Sequence, residues 1–294
     1  MNILTAKSGC VARIALSLVL LISAGAANAA RFLYTGGHGL DDPRVAALGH
    51  TYAEFSADDA GWAAALAGTY GPFSAILVGE DSGSTPLTLA TTTAIASFVS
   101  GGGRVIIASD HNANAEFMNA VFGYSTTIAY GCEDADNVAG TRQAGAVGTS
   151  FAAGPAAVGN LSCTSALNSA SVPASARKLY AGTFNAAPTT LAFAGGYGTG
   201  RLVWLGWDYC CGGSEAQNDD WYLVLDSAIK FSGATCSSLV GAQLTLCRQV
   251  CEVSQSPSTL AGLIKLYTAI YRVAPPCGGN VAPLRAPMAF SALN

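Results

Sequence analysis

Apolar and polar positions between residues 31 and 233 alternate between two periods. Short runs that are apolar throughout, or apolar at every second position, predict strands over 31–35, 51–55, 74–78 and 104–109. Between them, longer stretches with apolar residues three and four apart predict helices over 58–67, 87–100 and 113–122. Ser56 or Asp58 stands where a capping side chain would begin the first helix. Gly101-Gly102-Gly103 ends the second, because glycine accepts a left-handed backbone at a helix C-terminus. The runs 74–78 and 104–109 are almost wholly apolar, as strands covered on both faces are. This succession predicts an α/β protein built on an open, mainly parallel sheet.

Strand patterns return over 178–182, 190–194 and 201–207. The last two flank the glycine-rich stretch 195–200 and predict an antiparallel hairpin at one side of the sheet. A helix is predicted over 219–231, closing an α/β unit that spans 30–233. Within it, residues 124–175 lose the alternation and are rich in Ala, Gly, Ser, Thr and Asn. That segment reads as a long insertion pinned by a Cys132–Cys163 disulfide, which would contribute about 3–4 kcal/mol by constraining the unfolded chain.

A second, smaller unit covers 234–277. Val240, Leu244, Cys247 and Cys251 share one helix face, and Ser256-Pro257 opens a second helix with the apolar face Leu260, Leu263, Ile264, Tyr267 and Ile270. So short a segment buries little core alone, and cross-links would compensate, so a disulfide-linked helical hairpin is expected. Residues 278–294 carry no periodicity and read as a mobile tail.

The first 29 residues have a different pattern. Lys7 and Arg13 precede an apolar run over 14–25, too short to span a bilayer, and Ala27-Asn28-Ala29 supplies a small-x-small cleavage pattern before Ala30. They read as a signal peptide, which makes the mature chain periplasmic or secreted. Cleavage would remove Lys7 and Arg13 and take the formal net charge from −4 to about −6. No basic run exists, so a nucleic-acid partner is disfavoured. After cleavage no stretch is long enough for a transmembrane helix.

Cys10 would leave with the signal. Cys132, Cys163, Cys210, Cys211, Cys236, Cys247, Cys251 and Cys277 would remain, an even set that in an exported chain favours disulfides. With no CxxC pair and only His38, His50 and His111 as imidazoles, no metal site is expected. The adjacent Cys210 and Cys211 admit a vicinal disulfide or bonds to separate partners, the second tying the sheet to the helical hairpin through Cys247 or Cys251. Gly36-Gly37-His38-Gly39 lacks the spacing of a dinucleotide fingerprint, and no cofactor is expected. Asn160-Leu161-Ser162 matches a glycosylation acceptor. Trp62, Trp204, Trp207 and Trp221 read as core residues rather than a sugar-stacking platform.

In an open parallel sheet, ligands bind beyond the carboxyl ends of the strands. Those ends carry His38, Asp81, Asp110, His111 and Asp208, which together form the candidate binding crevice. The local alternative for Asp81, Asp110 and Asn112 is to cap the helices that follow.

The segments Arg31-Phe-Leu-Tyr-Thr-Gly-Gly, Phe73-Ser-Ala-Ile-Leu-Val-Gly and Phe98-Val-Ser-Gly-Gly-Gly-Arg-Val-Ile-Ile resemble the class I glutamine amidotransferase-like superfamily, which includes trehalose-utilisation-type proteins. Gly198-Thr-Gly-Arg-Leu-Val-Trp-Leu-Gly-Trp-Asp and Trp221-Tyr-Leu-Val-Leu-Asp-Ser-Ala-Ile are similar to the end of such domains. The resemblance implies a flavodoxin-like layout of the sheet, a cysteine on the turn after the 104–109 strand and a late His-Glu pair. Here that turn is Ser109-Asp110-His111-Asn112, and no histidine follows His111, so glutamine hydrolysis is not supported. The cysteines from Cys236 to Cys277 resemble a small cysteine-rich helical segment found at the ends of exported bacterial proteins.

These readings converge on an exported, non-enzymatic protein that binds a small ligand, a glycan or an envelope protein. The alternatives are a hydrolase, acting on carbohydrate, with Asp110 and His111 as an acid–base pair, and a structural partner protein whose contacts lie on 124–175.

Overall fold

The computed structural model describes residues 30–36, 40, 43–79, 85–109, 112–132, 138–159, 161, 163–198, 200–209, 215–231, 241–251 and 257–272. The expected signal peptide, the tail, and Cys210, Cys211, Cys236 and Cys277 lie outside these residues.

The first half follows the apolar runs closely. Strands β1 (Arg31–Tyr34), β2 (Thr51–Glu54), β3 (Ile76–Val78) and β4 (Arg104–Ala108) alternate with helices α1 (Pro43–Ala47), α2 (Asp59–Leu66), α3 (Leu89–Ser100) and α4 (Asn112–Phe122). After four further short strands come β9 (Arg177–Phe184), β10 (Ala187–Tyr197), β11 (Gly200–Leu205) and the long helix α5 (Glu215–Phe231). In the sheet, β2, β1, β3, β4 and β11 lie side by side in that order and all run parallel.

Alternate side chains of these strands feed two cores. On one face Phe32, Leu77, Ile106, Val203 and Leu205 pack against Val45 of α1 and against Trp221, Leu225 and Ile229 of α5. On the other, Leu33, Ile76, Val105, Ile107 and Trp204 pack against Trp62 of α2, Ile95 and Val99 of α3, and Met118 and Val121 of α4. All four tryptophans are fully buried, and truncating any one to alanine is worth about 3–5 kcal/mol.

Local chemistry sets the helix ends. Asp58 caps α2 by accepting a hydrogen bond from Gly61 N at 2.7 Å. Thr88 caps α3 through Thr91 N, and the chain leaves α3 at Gly101 with Gly102 at φ 114°. Thr91, Thr92, Thr93 and Ile95 make the first two turns of α3 rich in β-branched residues, so its own propensity is modest; the buried Ile95 and Val99, four apart, hold it to the sheet.

The sheet departs from the mainly parallel expectation on its other side. β10 runs antiparallel to β11, β9 to β10, β6 (Gly140–Arg142) to β9, and β7 (Ala157–Val158) to β6. β8 (Ala166–Asn168) pairs antiparallel with β10, and β5 (Ile128–Tyr130) with β8. Among the described residues the sheet is therefore mixed. The segment 124–175 is also no simple loop, since it supplies β5 to β8 and two 3₁₀ turns, Ala144–Ala146 and Ser150–Ala153. Its small polar residues become strands because long neighbours present unpaired backbone, not through any apolar alternation of their own. A disulfide joins Cys132 to Cys163. The helix expected from 219 begins one turn earlier, at Glu215.

The chain continues into α6 (Gly241–Cys251) and α7 (Pro257–Tyr271), with proline at the first position of α7. Cys247, Val250, Ile264 and Tyr267 are buried together, and Cys247 is disulfide-bonded. Ile270 does not share that face. It is 54% exposed, and Tyr271 turns inward instead, its ring 4.9 Å from that of Tyr267. Positions 264, 267 and 271 keep a 3.6-residue period better than 270 does.

Candidate functional site

The parallel order β2-β1-β3-β4 brings the carboxyl ends of these strands to one edge, where the connection from β1 turns to β2 on one side and that from β3 to β4 on the other. At this reversal the backbone is locked by short polar links. Thr35, just past β1, accepts a hydrogen bond from Gly79 N at 2.8 Å. Gly79, just past β3, accepts one at its carbonyl from Asn114 Nδ2 of α4 at 3.1 Å. A side chain at position 79 is excluded, since a Cβ there would lie 2.1 Å from Gly36 O. Asn114 is completely buried, and its Oδ1 has no hydrogen-bond partner among the described residues.

Beside this lock, at the carboxyl ends of β1 and β2, lies a hollow of about 650 Å³. Thr35, Gly36, Glu54, Ser56, Asp58, Tyr70 and Thr85 line it, with Phe55 and Ala57 completing the wall. Among the described lining residues the side-chain polar groups are hydroxyls and carboxylates, with no cation. Asp58 is committed to capping: the Gly61 amide first, then the Ser56 hydroxyl, holds its carboxyl below the ordinary value. Asp59 is likewise occupied, its pKa lowered by the Thr91 hydroxyl and by the backbone and hydroxyl of Thr88. Among the described lining residues, Glu54, at the end of edge strand β2, is the carboxylate with no capping duty.

The far end of the same edge is closed by the disulfide-bearing segment. Ser165, two residues after Cys163, donates to Ser109 O at 3.0 Å and reaches Ser109 Oγ at 3.2 Å. Its backbone N–H bonds Gly206 O, and Thr164 bridges to Trp207. The approach requires glycine at 206, where a Cβ would fall 2.0 Å from Ser165 O. Next to this contact, Asp208 is buried at 5% exposure, and Tyr209 takes φ 68°. Burial, with the neighbouring Tyr222 and Asp208, pushes the Tyr209 phenol far up.

Of the residues singled out from the sequence, Asp208 stands at the carboxyl end of β11. His38, Asp81, Asp110 and His111 lie outside the described residues. The chain enters their segments from Gly36, Gly79 and Ser109, all at the carboxyl edge. Glu54, Tyr70, Asn114 and Ser165 escaped the sequence reading, and Ser56 entered it only as a candidate helix cap. Of these, only Glu54 and Ser56 carried a usable signal, as polar residues directly at the end of a strand. Among the described residues no group of three or more His, Cys, Asp or Glu is placed to hold a metal ion. Nor is any helix there long and apolar enough to cross a membrane.

Fold and site thus define an α/β sheet protein with a polar hollow at its carboxyl edge. No family model matches the chain, and no curated protein does. Among solved structures it is similar to a ThuA-like protein of Bacteroides uniformis, at 11% identity over 68% of this chain and 90% of that one, with a TM-score of 0.44. A cytoplasmic protein of Salmonella typhimurium aligns at 14% identity over 68% of this chain and 98% of that one, TM-score 0.47. An exo-β-1,4-mannosidase of an Opitutaceae bacterium aligns at 14% identity over 76% of this chain and 40% of that one, TM-score 0.40. Likenesses of this depth assign neither activity nor residue roles to this chain.

Proposed function

We propose that this chain is an exported binding protein with a flavodoxin-like, amidotransferase-like domain that lacks the cysteine–histidine relay, and that its ligand is a small neutral or cationic polyhydroxylated molecule such as a sugar. The observation that carries the reading is the 650 Å³ hollow at the carboxyl ends of β1 and β2, walled by Thr35, Ser56, Thr85, Glu54 and the Tyr70 ring. Hydroxyl and carboxylate acceptors beside an aromatic ring suit a ligand rich in O–H donors, while Glu54 and Asp58 disfavour an anion. His38, Asp81, Asp110 and His111 are assigned to the same crevice as further contacts, with Asp208 marking the far end of that carboxyl edge. Export rests on the charged, apolar and small-x-small succession of residues 1–29 and is supported by the disulfide between Cys132 and Cys163.

The test is calorimetric titration of the mature protein with a panel of mono- and oligosaccharides, repeated with Glu54→Gln and Tyr70→Ala. Each substitution is expected to weaken binding at least about tenfold, the loss of one charged hydrogen bond or one stacking face. Unchanged affinity in both variants overturns the site. Turnover of a bound sugar that vanishes in Asp110→Asn and His111→Gln would make the protein a hydrolase instead.

A further inference from the structure

One buried polar chain has no part in the hollow. His50, in the turn between α1 and β2, has a side chain only 1% exposed. Its Nε2 lies 2.9 Å from Asp226 Oδ1 of α5, a residue 176 positions away. The other carboxylate oxygen of Asp226 accepts from Lys230 Nζ at 2.7 Å, one helical turn on. The remaining ring nitrogen, Nδ1, accepts from the backbone nitrogen of Ala30 at 3.3 Å. Because an amide N–H can only donate, Nδ1 must carry the lone pair and Nε2 the proton, which points to Asp226.

The partner of this imidazole is the informative part. Ala30 is the residue before which the sequence places signal cleavage, and it also stands directly before β1. Its carbonyl accepts from Thr51 N at 3.0 Å, and β1 starts at the next residue in register with Thr51. His50 itself is fixed by its own N–H bonded to Val45 O at 3.3 Å. In the uncut chain the Ala30 nitrogen is a neutral amide with one proton. After cleavage the same atom is an ammonium with three protons and a full charge.

We infer that His50 and Asp226 form a socket for the α-ammonium group that cleavage creates at Ala30, so that processing completes the fold at the residue directly before β1. The inference rests on reading residues 1–29 as an export signal. The ammonium donates to His50 Nδ1, the imidazole passes the polarisation through its Nε2–H to Asp226, and Lys230 holds that carboxylate from the far side. A hydrogen bond from a charged donor is about twice as strong as the amide bond it replaces. The socket also measures length. One extra residue would move the charge out of reach of a ring held by α1 and α5.

Two measurements separate the inference from the reading beneath it. Mass spectrometry of the exported protein should find Ala30 as its first residue; a different start removes both the assigned cut and the socket. With that start established, the amine is challenged by acylation with an N-hydroxysuccinimide ester under native conditions. The Ala30 amine should react at least about tenfold more slowly than the amine of a chain that retains Ala29, matching a docked state favoured by one charge-assisted hydrogen bond. His50→Gln should remove the protection, and the Ala29-retaining chain, which keeps every side chain, stands in if that variant fails to fold. Equal acylation rates in the Ala30 and Ala29 chains overturn the socket and leave the export reading intact.

Discussion

Arg177 donates through Nη1 to the carbonyl of Val250, 73 residues away, at 2.7 Å. The same guanidinium donates through Nε to Gly145 O at 2.9 Å and through Nη2 to Val147 O at 2.6 Å. One fully buried side chain on β9 therefore ties the 3₁₀ turn of the inserted segment to the last turn of α6. The carbonyl at Val250 is one of the four that a helix leaves without an internal partner, and a cation there also suits the helix dipole. Burial, with the nearby Arg201 charge, lowers the Arg177 pKa to about 10, so it remains charged at neutral pH.

Replacing Arg177 by methionine should keep the apolar stem and strand three buried carbonyls. The expected loss is about 3 kcal/mol or more in urea unfolding, from buried acceptors left without donors. Arg177→Lys should recover only part, since an ammonium lacks the planar fork that reaches three separated oxygens. Limited proteolysis distinguishes a local from a global effect: cleavage should appear first within 241–272. A methionine variant as stable and as resistant as the parent would show that the helical pair is held by other means.

Acid should act through Asp226. Burial pushes this carboxyl up, but hydrogen bonds from His50 and Lys230, with the Lys230 charge, outweigh it and hold the pKa below the ordinary value. A carboxyl with a lowered native pKa binds fewer protons folded than unfolded, so its contribution is complete above about pH 4 and disappears as the pH falls through the native value. The stability gap between the parent and Asp226→Asn should therefore be flat from neutral pH down to about 4 and shrink below it. A gap that widens on acidification would mean that the pair opposes folding.

Much of this fold is legible because its central strands are buried on both faces. β3 is a continuous apolar run, β4 and β11 are apolar after Arg104 and Arg201, and Asp58 stands at the foot of α2 as a capping residue should. What stayed hidden depends on distant partners. Gly140-Thr141-Arg142 becomes a strand only because β9 offers it an edge, and β9 and β10 run well past the apolar stretches that betray them. The site shares this property. Glu54 and Tyr70 meet at the hollow through the packing of β2 and α2, and His50 finds Asp226 across most of the chain. No local spacing encodes such pairs.

The Cys132–Cys163 bond bears on the site as well as on stability. It fastens the residue two positions before Ser165, whose hydroxyl and backbone seal the ends of β4 and β11 beside Asp208. Removing both sulfurs in a Cys132→Ser, Cys163→Ser double variant should lower stability by about 3–4 kcal/mol through the loop it closes. It should also loosen the seal, read as faster hydrogen exchange at Ser165 and Gly206 than at β3. Loss of stability with unchanged exchange at those amides would confine the cross-link to a thermodynamic role.

The turn between β9 and β10 offers a gain rather than a loss. Asn185 and Ala186 connect Phe184 to Ala187, which pair directly across the ladder, and both turn residues have positive φ, 48° and 64°. That geometry is the two-residue type I′ hairpin, whose twist matches the strands and whose second position ordinarily belongs to glycine. Asparagine tolerates the left-handed region because its short polar side chain bonds locally, but the Ala186 methyl crowds the following carbonyl at a cost of about 1–2 kcal/mol. Glycine would relieve that strain, while its freer unfolded chain takes back about 0.5–1 kcal/mol. Ala186→Gly should therefore stabilise the protein by about 0.5–1 kcal/mol in urea unfolding, and Asn185→Gly should gain less. A neutral or destabilising Ala186→Gly would show that this turn does not hold the strain its backbone angles imply.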